Sequence, residues 1–333
     1  MGKNVYNNFF TEEIWSVVNS ENKELVDDYL MELKQNKKAD TTIKQYKNDL
    51  RIILIFIYNF LENKSILELN KKDFRRFSLW LTEEKKLSAA RHNRLMSAIR
   101  SLLTYAENDD DYNYDNNVAK KVRGLPKDPI RIDNDVFFMS FDQIMKIRQE
   151  LIKRGELQLV VLHMLMFDSG ARRNEIAQVK KHGLLDGNKT NVVVGKRNKK
   201  FPLVYLDDTK ELIRLYLEDR GEDDIDSLWI IGNKNNLRAA MYENLYDWVL
   251  RIRKIYSEIE GRNIDIFPHS FRHSRTESLL MGEDTRIIDK NTRLPKKFTL
   301  EQVQVFLHHE NPSTTQGYSK DHSEDMIDEM FDI

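Results

Sequence analysis

The chain has 333 residues, of which 40% are hydrophobic, and its formal net charge at pH 7 is −1. This length allows two domains, each with its own core, and the overall charge does not by itself indicate a nucleic-acid partner. Cysteine is absent, which excludes disulfides, thiolate zinc sites and cysteine nucleophiles and fits a reducing cytosol. The N-terminus has no cationic stretch followed by an apolar run, and the most apolar run, residues 52–57, is too short for a bilayer. We therefore expect a soluble, cytoplasmic protein without a membrane segment.

The first third of the chain is predicted to be helical. Residues 1–20 form an N-terminal extension with room for one short helix. Four amphipathic helices follow, because apolar residues recur there at helical spacing. The expected N-caps of the second, third and fourth of these helices are polar residues: Thr41 or Thr42, Asn70 and Ser88. Four helices of this length suit a small bundle, which we place at residues 21–117.

The fourth of these helices carries a row of basic residues with no acidic residue between them: Lys85, Lys86, Arg91, Arg94 and Arg100. For this helix alone, a solvated surface face is the better interpretation. A DNA-binding face is the alternative, because lysine and arginine supply the phosphate contacts that dominate affinity for nucleic acids.

A basic segment then separates two domains. Residues 108–117 are acidic and polar and are predicted to be a loop. The segment that follows contains glycine and proline and has no apolar period, so the interdomain linker is predicted at residues 118–138. Its cations are Lys120, Lys121, Arg123 and Lys127. Such a linker suits a protein that encircles an anionic rod, because it can lie along the phosphates.

The second domain, predicted at residues 139–320, combines helices with a small hairpin. Helices are expected near 140–154, 156–168, 207–219, 237–257, 269–280 and 299–308, with a further one after Ser169-Gly170-Ala171. Two β-type runs, 191–194 and 201–205, enclose a cation-rich turn. That turn carries Lys196, Arg197, Lys199 and Lys200. The expected fold class is mainly α with a small β-hairpin, that is, α+β.

Separated arginine, lysine and histidine positions precede a tyrosine near the C-terminus. Cleaving a phosphodiester without metal needs a nucleophile, fixed cations around the non-bridging oxygens and an acid for the leaving oxygen. Arginine suits the clamp, because its planar fork binds phosphate oxygens in pairs and keeps its charge. Lysine suits the acid, because its pKa shifts readily with its surroundings. This pattern suggests a tyrosine nucleophile aimed at a phosphodiester.

At this point the second domain resembles the tyrosine recombinases (phage integrase family). The first motif, Gly-x-Arg-x-x-Glu, selects Arg172 over Arg173. The stretches that carry the resemblance are residues 169–175 (SGARRNE), Gly195-Lys196 as the hairpin lysine, 269–273 (HSFRH) as His-x-x-Arg-His, 307–309 (LHH) as Leu-Gly-His, and Tyr318. The agreement spans residues 172–318, whereas the helical domain and the linker agree only in pattern.

The resemblance implies a role for each matched residue. Tyr318 would attack the scissile phosphate, form a 3′-phosphotyrosyl bond and release a 5′-hydroxyl. Arg172, Arg272 and His309 would hold the transition state, and Lys196 would protonate the leaving oxygen. Because the covalent link stores the bond energy, rejoining needs neither ATP nor metal, and no cofactor is expected.

Further residues of these motifs would support the reaction. His269 would assist proton transfer at the tyrosine or bind the phosphate, Glu175 would orient the first arginine, and His273 belongs to the same box. His269 and His273 could instead suggest a zinc pair. No glutamate lies beside the first histidine and the chain has no cysteine, so we expect no metal site. Lys199 stays open as an alternative to Lys196 as the acid.

Two features depart from the family pattern. His308 stands where the family has glycine, which leaves open whether His308 or His309 faces the phosphate. The interval between Arg272 and His309 is also longer than usual, and the extra residues are expected near 283–297. A flexible loop and an added DNA or subunit contact are equally open interpretations of that segment.

The last residues, 321–333, have apolar side chains at helical spacing but form too short a helix to be stable alone. The resemblance implies that this helix packs on a neighbouring protomer in a cyclic tetramer on two DNA duplexes. Packing on its own domain is the alternative.

The resemblance thus implies a site-specific DNA recombinase. A SAM-like core-binding domain and the catalytic domain would form a C-shaped clamp on double-stranded DNA. The protein would be monomeric when free, tetrameric in the synapse and nucleoid-associated, with an accessory DNA-bending or directionality factor as a further candidate partner. The short N-terminal extension favours a mobile-element recombinase or a dimer resolvase. The alternatives are a type IB topoisomerase, a telomere resolvase and a catalytically idle DNA-binding protein.

Overall fold

The computed structural model describes residues 9–126, 137–233 and 236–308. Internal contacts divide the chain into two units between residues 130 and 131, and each unit has its own hydrophobic core. Both units are mainly helical, and the strands occur in the second. None of the helices in the described ranges combines the length and the apolar character that crossing a membrane requires.

The first unit is a helical bundle. Its α-helices are α1 (Glu12–Val17), α2 (Ser20–Gln35), α3 (Asp40–Phe60), α4 (Lys71–Leu79) and α5 (Ala89–Asn108). All six residues of the apolar run 52–57 are buried, which places the centre of α3 inside the core. The fold of this unit is therefore organised around α3.

Side-chain caps explain where two of these helices begin. The side chain of Asn70 accepts backbone hydrogen bonds at the start of α4, and that of Ser88 does so at the start of α5. Both caps were predicted. Helix α3 instead follows Ala39, which offers no side-chain cap, so the prediction of Thr41 or Thr42 at this position is wrong.

The segment after the bundle packs on the first unit. Arg100 donates from Nε to the carbonyl of Ala119 at 3.2 Å and from Nη2 to that of Val122 at 2.7 Å. Asn93 binds both the backbone N–H and the carbonyl of Leu125. Residues 118–125 are therefore held by hydrogen bonds along the side of α5.

The second unit contains seven α-helices and two small sheets in the described ranges. The helices are α6 (Phe141–Lys153), α7 (Leu157–Ser169), α8 (Arg173–Ile176), α9 (Asp207–Arg220), α10 (Tyr242–Glu260), α11 (Pro268–Met281) and α12 (Leu300–Phe306). Strand β1 (Lys189–Val194) pairs antiparallel with β2 (Lys200–Val204), and β3 (Ile230–Ile231) with β4 (Arg238–Ala239). The helix predicted from residue 237 begins only at 242, because 238–239 pair with β3.

Helix α7 forms the centre of this unit, since every residue from 159 to 169 is buried. Among them is His163, which contacts the carbonyl of Ile144 through Nε2 at 2.9 Å and the ring of Phe271 edge-on. Its Nδ1 is buried and has no hydrogen-bond partner among the residues that the structure describes. Desolvation lowers the pKa of His163 to about 4, and the nearby charges of Arg286 and Arg148 add to the effect.

Acidification is expected to destabilise the second unit through His163. Because the folded state lowers this pKa, the unfolded chain binds the proton more readily, and stability falls as the pH drops below the ordinary value of 6.5. By proton linkage, the free energy of unfolding at pH 5 is expected to be about 2 kcal/mol lower than at neutral pH. Urea unfolding at both pH values measures this decrease. His163→Gln should not show it, whereas His182→Gln, which changes an exposed histidine, should. Identical pH dependence in the two variants would contradict the assignment.

Residues 287–296 form a paired turn, which we call the insertion hairpin. The backbone N–H of Asp289 donates to the carbonyl of Leu294 at 2.9 Å, and that of Lys296 to the carbonyl of Ile287 at 2.8 Å. The Asp289 carboxylate accepts two further backbone N–H groups within the tip. The extra residues that the sequence located near 283–297 therefore have a defined, hydrogen-bonded backbone.

A charged network holds the base of the insertion hairpin. Arg286 donates to Asp168 at 2.6 Å, to Asp208 at 2.9 Å and to Asp284 at 2.9 Å. Arg275 of α11 donates to the same Asp284 carboxylate at 2.5 Å. Asp168 and Asp284 are 1% and 3% exposed. Arg286 thus joins the end of α7 to the start of α9. The shared Asp284 carboxylate connects both to Arg275 of α11.

Arg286→Gln is expected to lower the free energy of unfolding by about 3–5 kcal/mol, because it leaves buried carboxylates without their main cation. Arg293→Gln, at the exposed tip of the insertion hairpin, is the matched control, and its effect should stay within about 0.5 kcal/mol. Urea unfolding of both variants measures the difference. Equal stability of the two would show that Arg286 does not anchor this segment.

Candidate active site

The first arginine motif is built by the turn between α7 and α8. Gly170 ends α7 in the left-handed conformation, with φ of +57°, and Arg172 directly precedes α8. The backbone N–H of Arg172 donates to Glu175 Oε2 at 2.7 Å, and its Nη1 to Oε1 at 3.1 Å. Glu175 is 1% exposed, whereas the Arg172 side chain keeps 24% of its surface in solvent. A buried carboxylate thus orients a guanidinium that a ligand can still reach.

Arg272 joins three segments of the second unit. It lies in the first turns of α11, a helix that begins with Pro268, and is 2% exposed. Its Nη1 donates to the carbonyl of Gly170 and its Nη2 to that of Leu307, each at 2.7 Å. A Cβ at position 170 would lie 2.7 Å from Leu307 Cδ2. A side chain at position 170 would displace Leu307, and the left-handed backbone also favours glycine. The close packing of these segments brings Arg272 beside the Arg172 turn.

His269 lies one turn before Arg272 on the exposed side of α11. Desolvation of the imidazole lowers its pKa, and the positive charges of Arg272, Arg172 and Arg173 lower it further. The ring is therefore neutral at neutral pH, which leaves a nitrogen able to accept a proton.

His308 adopts the left-handed backbone conformation, with φ of +56°, at the position where the family motif has glycine. Its ring stacks on Phe201 of β2 with centroids 3.7 Å apart and planes at 25°. Desolvation lowers the pKa of His308; Glu175 opposes this shift, and Arg272, Lys199 and Arg172 add to it. The backbone thus keeps a glycine-like turn, and the histidine ring covers β2 beside the arginines.

The β1–β2 hairpin packs against the arginine motif. A Cβ at Gly195 would lie 2.8 Å from the Phe201 ring and 3.0 Å from Glu175 Oε1, so a larger residue there would displace the Phe201 ring. The backbone N–H of Gly195 donates to the carbonyl of Lys199 and closes the turn. Lys196 is exposed at the start of this turn, and Lys199 is partly buried at its end. Both lysines are therefore carried on a hairpin whose base contacts Glu175.

The structure brings together Arg172, Glu175, His269 and Arg272, with the β1–β2 hairpin beside them. His273 of the same box packs edge-on against the Phe138 ring at 5.6 Å. Of the other predicted site residues, His309, Tyr318 and Lys127 lie outside the described residues, as does the segment 321–333. In the described ranges, no three histidine, aspartate or glutamate side chains cluster in a way that would hold a metal ion.

Several cations of the first unit that were predicted to contact DNA have partners within the protein. Arg91 and Arg94 both pair with Asp49, at 2.7 and 3.0 Å, and Asp49 is 5% exposed. Lys120 pairs with Glu107, and Lys85 lies 4.3 Å from the centroid of the Phe9 ring. Arg94 and Lys120 are exposed as well as paired. The other predicted DNA contacts that are exposed are Lys86, Lys121 and Arg123 in the first unit and Arg197 and Lys200 on the β1–β2 hairpin.

Two groups of residues around the site were not predicted from the sequence. The first is Arg173, because the motif selects Arg172, although Tyr242 and Tyr246, one helical turn apart, could have indicated an aromatic partner. The second is the pairing of Arg286 with Asp168, since ion pairs between residues so distant in sequence leave no local pattern.

The comparisons with known proteins agree with this geometry. The model of the phage integrase family matches residues 138–325, and that of the phage integrase N-terminal SAM-like domain matches residues 26–109. Among curated proteins, the chain is 27% identical over 320 residues to the SPbeta prophage-derived recombinase-like protein YomM of Bacillus subtilis, covering 92% of this chain and 89% of that protein. It is 27% identical over 304 residues to the tyrosine recombinase XerC of Treponema denticola, covering 87% and 91%.

Solved structures show the same fold at low sequence identity. The XerH site-specific recombinase bound to palindromic difH substrate has a TM-score of 0.64 and 17% identity, covering 98% of this chain and 94% of that one. The lambda integrase tetramer bound to a Holliday junction has a TM-score of 0.63 and 14% identity, covering 90% and 78%. Because the integrase family model matches more than half of the residues, the chain belongs to the phage integrase family, the tyrosine recombinases.

Proposed function

We propose that this protein is a site-specific DNA recombinase that cuts and rejoins strands through a 3′-phosphotyrosyl intermediate. The observation that carries the proposal is the pair of oriented arginines. Glu175 holds Arg172, and the carbonyls of Gly170 and Leu307 hold Arg272. Guanidinium groups fixed in advance stabilise the charge that develops on a phosphorane without reorganising during the reaction.

In the proposed reaction, the phenolic oxygen of Tyr318 attacks the scissile phosphorus. The new bond joins that oxygen to phosphorus, and the bond from phosphorus to the 5′-oxygen breaks. His269, neutral because its pKa is lowered, accepts the phenolic proton. Lys196 gives a proton to the leaving 5′-oxygen, with Lys199 as the alternative donor on the same hairpin. Attack by a 5′-hydroxyl of another strand reverses these steps and releases the tyrosine. His309 completes the cation set, and His273 supports α11 by packing.

The substrate in this proposal is double-stranded DNA, bound by a core-binding domain at residues 21–117 and by a catalytic domain at residues 139–320. The segment 118–138 links them, and the segment 321–333 docks on a neighbouring protomer. The exposed cations named above would contact phosphates, and such contacts make binding strongly salt-dependent. XerH was solved with its DNA substrate and lambda integrase as a tetramer on a Holliday junction, which supports a DNA-bound tetramer here.

A mobile element and the resolution of chromosome or plasmid dimers both remain proposed roles, since the curated relatives include a prophage-derived protein and XerC. In either role the protein would act on nucleoid DNA in the cytoplasm, with or without an accessory DNA-bending or directionality factor.

Covalent trapping tests the proposed function. Nicked duplexes made from the DNA that flanks the gene should yield a denaturant-stable adduct with a free 5′-hydroxyl, and two-site substrates should yield recombinants. Relaxation of supercoils without recombinants would favour a topoisomerase. Binding without any adduct would favour a DNA-binding protein that has lost the reaction.

A further inference from the structure

Arg173, the neighbour of the first motif arginine, is held by an aromatic pair. It is the first residue of α8, and its guanidinium carbon lies 3.7 Å from the ring centroid of Tyr242 and 5.0 Å from that of Tyr246. The two tyrosines lie one turn apart at the start of α10 and present adjacent rings. Tyr242 is 43% exposed, so the aromatic pair lies at the protein surface.

The charge of Arg173 has no acidic partner in the part of the chain that the structure describes. The adjacent residue Arg172 differs in this respect, because its guanidinium forms an ion pair with Glu175. A guanidinium that lies over an aromatic face keeps its in-plane N–H donors free for another ligand, because the ring contacts only its flat side. Within the described ranges, Arg173 therefore combines a fixed orientation with N–H donors that make no hydrogen bond.

Arg173 also lies close to the candidate active site. It precedes Glu175 in the same short helix, and its charge reaches His269 together with those of Arg172 and Arg272. A phosphodiester chain carries one negative charge per nucleotide, so a strand whose scissile phosphate lies between Arg172 and Arg272 places further phosphates beside this centre. A cation with free donors at this place has an anionic partner in reach once DNA is bound.

We propose that Arg173, supported on Tyr242 and Tyr246, binds a backbone phosphate next to the scissile one and so positions the strand for attack. This role rests on the proposed recombinase function. It adds to the DNA-binding residues one that the Gly-x-Arg-x-x-Glu motif does not include. The aromatic support lowers the conformational entropy that a long side chain loses when it binds, which favours arginine over lysine here.

The salt dependence of DNA binding tests this role. A single phosphate contact contributes about 0.9 to the slope of log K against log salt. Arg173→Gln should therefore reduce the slope by about one unit relative to the unmodified chain. Arg173→Lys should keep the slope and weaken binding, because lysine retains the charge and loses the stacked fork. Tyr242→Leu should weaken binding in the same way without changing the slope.

Arg154→Gln is the matched control, since Arg154 pairs with Glu150 and Glu258 on the surface. It should leave both the affinity and the slope unchanged. If Arg173→Gln lowers the free energy of unfolding and leaves the slope unchanged, Arg173 is only a structural link between α8 and α10 and the proposal fails. Loss of affinity for one base sequence alone, at constant slope, would also overturn it, because that outcome indicates contact with a base edge.

The two proposals fail separately. If the unmodified chain forms no covalent adduct, the recombinase function is wrong, while the salt slope of Arg173→Gln still reports on phosphate binding. If the adduct forms and the slope of Arg173→Gln equals that of the unmodified chain, the function stands and the role of Arg173 is wrong. Single-turnover cleavage at saturating protein should also be slower for Arg173→Gln, because a displaced strand presents its scissile phosphate less often.

Discussion

Tyr318→Phe is expected to abolish the covalent protein–DNA adduct while DNA binding stays nearly unchanged. The substitution removes one oxygen atom, and that oxygen is the proposed nucleophile, so no phosphotyrosyl bond can form. Binding should persist because the proposed phosphate contacts come from arginine and lysine side chains elsewhere in the chain. A denaturing gel with a labelled nicked duplex measures the adduct, and a gel shift measures binding.

Tyr58→Phe in the first unit controls for the loss of a phenolic hydroxyl, and it should form the adduct as the unmodified chain does. An adduct that persists in Tyr318→Phe would identify another nucleophile and remove the central assignment. If both substituted chains and the unmodified chain bind DNA and form no adduct, the protein is a binding module.

Arg272→Lys is expected to slow strand cleavage by about 10²–10³-fold or more, the loss seen when a preorganised charge-stabilising donor is removed. Lysine keeps the positive charge but cannot donate in two directions from one plane, so the bonds to Gly170 and Leu307 cannot both be kept. Single-turnover cleavage at saturating protein isolates this effect from binding. Arg272→Gln should be at least as slow.

Because Arg272 is also buried, its variants need a check on folding. Thermal unfolding identifies a temperature at which both variants remain folded, and cleavage is compared there. The control is Arg214→Lys, which should cleave normally; Arg214 is a partly exposed arginine of α9 that pairs with Glu211 and Glu218. Normal cleavage by folded Arg272→Lys would exclude this side chain from the phosphate clamp.

Much of the fold was predictable because its determinants are local. Periodic apolar residues and the caps Asn70 and Ser88 predict helices that the structure contains. The α7–α8 turn was predictable from Gly170, whose left-handed conformation favours glycine. The start of α10 was predicted too early, because pairing between β3 and β4 depends on residues that a local pattern does not connect.

The candidate site was predictable where a motif keeps residues at short spacing. Arg172 and Glu175 are three positions apart, and the structure bonds them. The contact of Arg272 with the Leu307 carbonyl was not predictable, since α12 reaches it only through tertiary packing. The partners of Arg91 and Arg94 show the same limit. From the sequence, a row of cations on one helix resembles an unpaired surface, because Asp49 of another helix pairs with them only in the folded structure.

The insertion hairpin has a consequence for how chain length can vary near this centre. Arg286 and its carboxylate partners hold the base of the insertion hairpin, and the hydrogen bond between Asp289 and Leu294 closes it near the tip. The two sides of the hairpin are therefore joined before the tip residues begin. Residues added between those closing positions would lengthen only the outer end. We expect the tip of the insertion hairpin to accept a peptide tag or a fluorescent label, so that the protein could be followed on DNA.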